Sequence, residues 1–272
     1  MGQDHPPLEV AAPVSTRDRR EQILERARRT GYVSVDQLAG DLRVTPQTIR
    51  RDLSELCEQN LLQRYHGGAG LTSSVENVAY ADRQVLNVEA KRRIGQLVAT
   101  AIPNHASLFI NIGTTTEEVA RALLDHTELK VITNNLNVAS LLSQNPSFEV
   151  IIAGGLVRSR DRGIVGEAAI DLIRQFKVDY GVIGISGIDP DGSLLDYDYR
   201  EVRVAQAIVA NSRRVLLACD ASKFGRSALV RMGHLDQVHD LFTDQEPPPD
   251  WTAGLAAAGV RVHVAEGLDT TG

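Results

Sequence analysis

"TPQTIRRDLSEL", residues 45–56, opens with a threonine ahead of a proline and sets two adjacent arginines in its second turn. Thr45 has the side chain of a helix N-cap, and Pro46 suits the first helical position, where a missing N–H breaks no bond. Ile49, Leu53, Leu56 and Cys57 fall at i, i+4, i+7 and i+8, which makes one buried face. Gln47, Arg50, Arg51 and Ser54 share a different face. An arginine fork can pair with guanine or clamp a phosphate, and a glutamine amide can pair with adenine. Taken alone, such a face is also what any solvated helix presents, so its neighbours decide the reading.

On the amino-terminal side, Ile23, Leu24 and Ala27 mark a helix over roughly 16–30, closed by Gly31. Ser34 with Gln37 three residues on has the spacing of a capping box, followed by Val35, Leu38, Ala39 and Leu42 as a second apolar stripe. Short helix, tight turn and capped polar helix make a helix-turn-helix. Gln47, Thr48, Arg50 and Arg51 then face DNA, and the helix starts at Ser34 and Thr45 offer free N–H groups to phosphates. Which of the four reads bases and which grips phosphate, the sequence leaves open. "NLLQRYHGGAG" (60–70) follows as a hairpin wing, with Arg64 and His66 placed for phosphate or minor-groove contact.

Charge supports this division. Residues 17–66 carry ten arginines and eight acidic residues, a balance of +2 within a chain of net charge −6, so the remainder carries −8. A basic head on an acidic body keeps the repulsive bulk off a duplex. At 43% hydrophobic and 24% charged, the 272 residues are ordinary for a globular chain, with no apolar run approaching the roughly 20 residues of a membrane span. The start has neither a basic region nor a long apolar core, so residues 1–15 read as a disordered leader and the cytoplasm as the compartment. Cys57 and Cys219 lie far apart in apolar surroundings and read as small core residues; no metal or cofactor is expected.

Beyond about Glu89, apolar runs alternate with helical stretches: 107–113, 130–133, 148–155, 179–185, 214–220, 240–244 and 260–265. Near-continuous apolar strands between helices predict a doubly wound parallel α/β sheet, with ligands at the strands' carboxyl ends. "IGTTTEEVA" (112–120) turns at Gly113 and presents Thr114, Thr115 and Thr116 beside a helix start near Thr116, the chemistry of a phosphate cradle. Further strand ends offer Asn134 and Asn135, Gly154 and Gly155 with Arg158 just beyond, Ser186 and Gly187, then Asp196 and Lys223. Lys223 suits a phosphate and Asp196 a ligand hydroxyl. The expected organisation is a leader over 1–15, a winged helix-turn-helix over 16–70, a linker over 71–88 and a sensor of a small phosphorylated molecule over 89–272.

"GYVSVDQLAGDLRVTPQTIRRDLSELCEQNLLQRYHGGA" (31–69) resembles the amino-terminal signature of the DeoR family of bacterial transcriptional regulators, through the "TIRRDL" core together with the R-x-HGGA wing. The resemblance runs from about Arg19 to Pro249 and implies a carboxyl-terminal domain similar to ribose-5-phosphate isomerase that serves as a sugar-phosphate sensor. "GGLVRSRDRGIVGEA" (154–168), "DYGVIGISGIDPDGSLLDYDYREVR" (179–203) and "SKFGRSALVRMG" (222–233) narrow it. They imply a repressor of glycerol 3-phosphate metabolism genes, released from double-stranded operator DNA by glycerol 3-phosphate and working as a homo-oligomer, dimer or tetramer. Fructose 1-phosphate or a related sugar phosphate stays open as the effector. Many relatives carry Asp where this sequence has Asn111, which puts in doubt any acid–base role there. A rival of another class is a sugar-phosphate isomerase with a DNA-binding head, using Glu201 and Asp196 as acid and base. A regulator needs differential binding between two states and no turnover, so the expectation is not an enzyme.

Overall fold

The computed structural model describes residues 15–30, 32–59, 61–65, 67–70 and 80–265, without the side chains of residues 28–30, 81 and 82. The expectations for Gly31, His66 and residues 1–14, 71–79 and 266–272 lie outside the described residues.

The head comprises α1 (Thr16–Thr30), β1 (Tyr32–Ser34), α2 (Val35–Asp41), α3 (Pro46–Glu58), β2 (Gln63–Tyr65) and β3 (Gly68–Gly70). Ile23, Ala27, Leu38, Ile49, Leu53 and Leu56 pack into one core closed by Ala69 of the wing. Full burial of a Leu or Ile contributes about 1.5–3 kcal/mol, so Ile49 and Leu53 fix which side of α3 turns inward. Thr45 caps α3 as its sequence predicts, its Oγ1 accepting from the Thr48 N–H at 3.2 Å, with Pro46 in the first turn. Ser34 does not form the capping box: it stands at the N-cap of α2 without a side-chain bond. The physical reason is the wing. Ser34 is also the last residue of β1, paired with Gly68, and the Gly67 carbonyl takes the Val35 N–H at 2.9 Å.

One residue on the apolar side of α3 is charged. Asp52, 2% exposed, receives Arg19 Nε at 2.6 Å and Arg20 Nε at 3.0 Å, which ties α3 to α1. Removing one partner from a buried ion pair costs about 3–5 kcal/mol, because the other charges stay uncompensated. Asp52→Ala is therefore expected to lower the head's thermal midpoint markedly in a calorimetric scan; an unchanged scan would show the pair to be dispensable.

The larger unit contains α4 (Tyr80–Val85), α5 (Val88–Thr100), β4 (Ser107–Ile110), α6 (Thr114–Ala122), β5 (Lys130–Thr133), α7 (Leu136–Leu142) and β6 (Glu149–Ile152). It continues through β7 (Leu156–Val157), β8 (Ile164–Val165), α8 (Glu167–Ile173), β9 (Val178–Ile183), β10 (Gly187–Ile188) and β11 (Ser193–Asp196). Then come α9 (Tyr199–Ala210), β12 (Ser212–Ala218), β13 (Val230–His234), β14 (Asp240–Thr243), α10 (Pro249–Ala257) and β15 (Arg261–Val264). The seven apolar runs form one parallel sheet, ordered β15-β14-β12-β9-β4-β5-β6. Helices α5, α6 and α7 cover one face through Ile94, Val98, Val119, Ala120 and Val138. Helices α8, α9 and α10 cover the other through Ile170, Val202, Ala205 and Leu255. Burial on both faces explains why these strands read as continuous apolar runs. From β4 the chain winds toward β6, returns to β9 and winds the other way, so β4 and β9 flank the switch point where open α/β sheets leave a crevice. Two smaller pieces complete the unit: an antiparallel sheet β10-β11-β13 and the hairpin β7-β8.

Part of the stretch expected to link the units is fastened down. Tyr80 of α4 donates to Glu117 of α6 at 2.7 Å, and Asn137 Nδ2 donates to Tyr80 Oη at 2.8 Å and to Glu117 Oε1 at 3.0 Å.

Candidate functional site

Two surfaces answer to the sequence expectations. On the head, Gln47, Arg50, Arg51 and Ser54 are exposed along α3 and Thr48 is half-buried at its start. Arg19 and Arg20 are engaged by Asp52, whereas neither Arg50 nor Arg51 joins an ion pair among the described residues. Their charge is thus available to a partner. Arg64 is exposed on β2 of the wing, and Ser34 and Thr45 stand where α2 and α3 begin. Gln47, Thr48, Arg50, Arg51 and Ser54 line one shallow groove with Thr16, Arg19 and Arg20 of α1.

The second is a cavity over the switch point. Its floor comes from the ends of β4, β9 and β12: Gly113, Thr114 and Thr115, then Ser186, then Asp220, Ser222 and Lys223. Asp196 and Glu201 close one side, and Arg83, Asn87 and Lys91 another. Gly113 turns the chain with φ near +149°, a backbone that L side chains rarely adopt, and Thr116 Oγ1 fastens the turn by donating toward the Asn111 and Gly113 carbonyls, both at 2.8 Å. Helix α6 therefore begins at Thr114, two residues earlier than the sequence suggests. Its first N–H groups have no acceptor within the helix, and its positive end sits at the cavity.

Four cations line the cavity: Arg83, Lys91, Lys223 and Arg226. Burial pulls the Lys223 ammonium down to about 8, against the opposing pull of Asp220. Lys91 is drawn down to about 8 for the same reason, and its Nζ donates to the Arg83 and Leu86 carbonyls. Burial alone would raise the Asp220 carboxyl, but Lys223, Lys91 and hydrogen bonds from Ser222 outweigh it and hold it at about 2. Arg83 Nε is buried with no hydrogen-bond partner among the described residues. On the other side, burial pushes the Asp196 carboxyl up although Tyr197 N–H at 2.7 Å and Ser186 Oγ at 2.9 Å both donate to it. Burial and the neighbouring Asp196 likewise raise Glu201. The cavity thus joins a helix start and cations to carboxyl and hydroxyl groups in one lining.

Six of the residues expected to hold an effector meet there: Gly113, Thr114, Thr115, Ser186, Asp196 and Lys223. Seven others are engaged elsewhere. Thr116 ties the turn below the cavity, Asn134 Nδ2 donates to the Ile164 carbonyl at 3.1 Å, and Asn135 caps α7 and donates to Glu117 at 3.0 Å. Gly154 and Gly155 are exposed beyond β6, the sheet's edge, two strands away from the crevice. Arg158 is held by Asp161 at 2.5 Å, Glu201 at 2.8 Å and Asp198 at 2.9 Å, and Gly187 pairs with Leu195 in the small sheet. The reason is topological: a parallel sheet opens a crevice only where its winding reverses, not at every strand end. Asn111 is 2% exposed with its Oδ1 unpaired, beneath the turn rather than on the cavity wall.

Tyr32, Arg83, Asn87, Lys91, Asp220, Ser222 and Arg226 also line the cavity, beyond the residues expected from the sequence. Lys91 left a signal: it falls on the buried face of α5 with Ala90, Ile94 and Val98, where an ammonium needs polar partners. Tyr32 and Arg226 left none, because only the tertiary fold brings them to the cavity.

Comparison with known proteins bears on both surfaces. Residues 19–75 match the DeoR-like helix-turn-helix domain and residues 86–245 the DeoR C terminal sensor domain. The chain is 54% identical to the glycerol-3-phosphate regulon repressor of Escherichia coli (strain K12), over 85% of this chain and 91% of that one. It is 53% identical to the glycerol-3-phosphate regulon repressor of Haemophilus influenzae over 84% and 89%, and 45% identical to the HTH-type transcriptional repressor CsqR of Escherichia coli (strain K12) over 90% and 94%. Among solved structures, ribose 5 phosphate isomerase A from Neisseria gonorrhoeae shares 13% identity over 51% of this chain and 54% of that one, at a TM-score of 0.36, a level from which no function follows.

Proposed function

Since the chain belongs to the DeoR family of DNA-binding transcriptional repressors, we propose that it controls glycerol 3-phosphate metabolism genes and leaves its operator on binding glycerol 3-phosphate in the cavity over the β4–β9 crevice. The observation that carries this is a single cavity that pairs cations at a helix start with carboxyl and hydroxyl groups. The start of α6 with Lys223, Lys91 and Arg83 suits a phosphate dianion, and Ser186 and Asp196 suit the hydroxyls of a short polyol. The 54% identity to a repressor named for the glycerol-3-phosphate regulon favours this polyol over fructose 1-phosphate.

Calorimetric titration with glycerol 3-phosphate, fructose 1-phosphate, inorganic phosphate and glycerol tests the assignment. Glycerol 3-phosphate is expected to bind most tightly and glycerol to give no measurable heat. Tighter binding of fructose 1-phosphate would reassign the effector and leave the phosphate assignment intact.

The proposed division places a head at 16–70, a linker at 71–88 and the sensor from 89. The Tyr80–Glu117–Asn137 network joins the end of that linker to α6, whose start faces the ligand, so a shift of α6 reaches the chain leading to the head. A dimer or tetramer supplies two heads for two half-sites, and light scattering in solution tests that count. No helix among the described residues is long and apolar enough to cross a membrane. A repressor works where its operator is, which places the chain in the cytoplasm. Turnover is not expected. Of Glu201 and Asp196, the two carboxyls an isomerase reading would use, Glu201 is held by Arg158 at 2.8 Å. An assay of aldose–ketose interconversion on pentose and hexose phosphates should give no rate above the uncatalysed one; a measurable rate would revive the enzyme reading.

Affinity should depend on pH with a definite sign. Burial holds the Lys223 ammonium at about 8, and a bound phosphate dianion raises it. The bound state then holds more protons, so affinity is full below pH 8 and falls above it, by up to about tenfold per pH unit for this one group. Loss of the ligand's second charge near pH 6 sets the lower limit. Titrations at pH 7, 8 and 9 in two buffers of different ionisation enthalpy should show proton uptake at the higher values. An affinity independent of pH across that range would remove Lys223 from the phosphate site.

A further inference from the structure

The cavity is not walled by the sensor alone. Tyr32 belongs to the DNA-binding head, yet it lines the cavity together with Asp220, Lys223 and Arg226, and it is 5% exposed. The head is built around this ring. β1 pairs Tyr32 with Gly70 of the wing, and Tyr65 lies against it with ring centroids 6.4 Å apart. Gly68 leaves the space the phenol needs: a Cβ there would come within 2.5 Å of Tyr32 Oη and 2.1 Å of the Val33 carbonyl oxygen. The surroundings on the far side are the sensor's. Burial and then the charges of Asp220 and Asp244 push the phenol up, while Arg226 opposes them. Burial pushes the Tyr65 phenol of the wing up while Arg226 opposes it, and Arg226 lies over the Tyr197 ring at 5.5 Å. The head's first strand therefore borders the cavity, with Tyr32 in its wall.

We propose that Tyr32 is an effector-contacting residue supplied by the DNA-binding head, so that ligand in the cavity holds the head in the docked position seen here. This rests on the reading of the cavity as the effector site. On a wall shared with Lys223 and Arg226, the phenol can meet a phosphate or polyol oxygen. A ligand that touches both Tyr32 and the sensor binds the docked arrangement more tightly than one in which the head has left to engage a duplex. By linkage, bound DNA lowers the affinity for ligand by the same factor as ligand lowers the affinity for DNA.

The test uses the full chain, glycerol 3-phosphate, and a duplex selected by the wild-type protein from a random-sequence pool. Tyr32→Phe keeps the ring in its seat and removes only the hydroxyl, while Tyr32→Ala removes the wall. Calorimetry should show glycerol 3-phosphate bound about tenfold more weakly by Tyr32→Phe and more weakly still by Tyr32→Ala. Tyr32→Phe should keep its affinity for the duplex, which reports a folded head, and need correspondingly more ligand for release. Ligand affinities within twofold of wild type for both variants, or tighter, would overturn the proposal. A wild-type chain that gives no heat with glycerol 3-phosphate would overturn the effector reading and this inference with it, whereas wild-type binding matched by both variants overturns this inference alone.

Discussion

Arg50→Ala and Arg51→Ala should each weaken binding to the selected duplex by about 5- to 150-fold, the equivalent of ~1–3 kcal/mol for a lost base contact read by an arginine fork. Both side chains are exposed on α3 and unpaired among the described residues, so truncation removes charge from the DNA face without disturbing the core beneath it. Ligand affinity should be unchanged. The variants also separate two roles. Loss of a base contact relaxes preference at one position of the site, whereas loss of a phosphate contact weakens all sequences alike and lowers the salt slope by about one. Fluorescence anisotropy over a range of salt concentrations distinguishes them, and full affinity in both variants would move the recognition surface away from α3.

Lys223→Ala should yield a repressor that stays on DNA in the presence of effector. A hydrogen bond to a charged group contributes about 1.5–3 kcal/mol, so glycerol 3-phosphate should bind about 10- to 150-fold more weakly. The variant should hold the duplex as tightly as wild type, because Lys223 lies at the sensor cavity and not on α3. Its loss also removes a cation that keeps Asp220 low, so part of the effect passes through that carboxylate. Thr115→Val gives an independent check at the start of α6, the other element proposed to meet the phosphate. If Lys223→Ala keeps full ligand affinity, the phosphate does not sit beside Lys223.

Much of this architecture is legible in the chain itself, for reasons particular residues make plain. Strands buried on both faces leave unbroken apolar runs such as 107–113 and 214–220, and all seven such runs enter the main sheet. The small antiparallel sheet leaves no comparable trace. β10 has two residues, and β13 mixes buried Met232 with exposed Arg231. On α3 the apolar spacing reveals the inner face but not Asp52, whose burial makes sense only once Arg19 and Arg20 are seen beside it. Ser34 has the spacing of a capping box, yet the wing's Gly67 carbonyl supplies the bond at that helix start. At the cavity, the Gly113–Thr115 turn and Lys223 follow local chemistry and are visible in sequence. Arg83, Lys91, Arg226 and Tyr32 converge only because the chain reverses its winding at β4 and β9 and a second unit docks above.

The most direct test of the account is a competition on the unmodified full-length protein. Fluorescence anisotropy follows the selected duplex at a protein concentration near its dissociation constant while glycerol 3-phosphate is added at pH 7. The account predicts release of the duplex, half complete near the ligand's calorimetric dissociation constant, with glycerol alone having no effect. A duplex that stays bound while calorimetry shows the cavity occupied would contradict it.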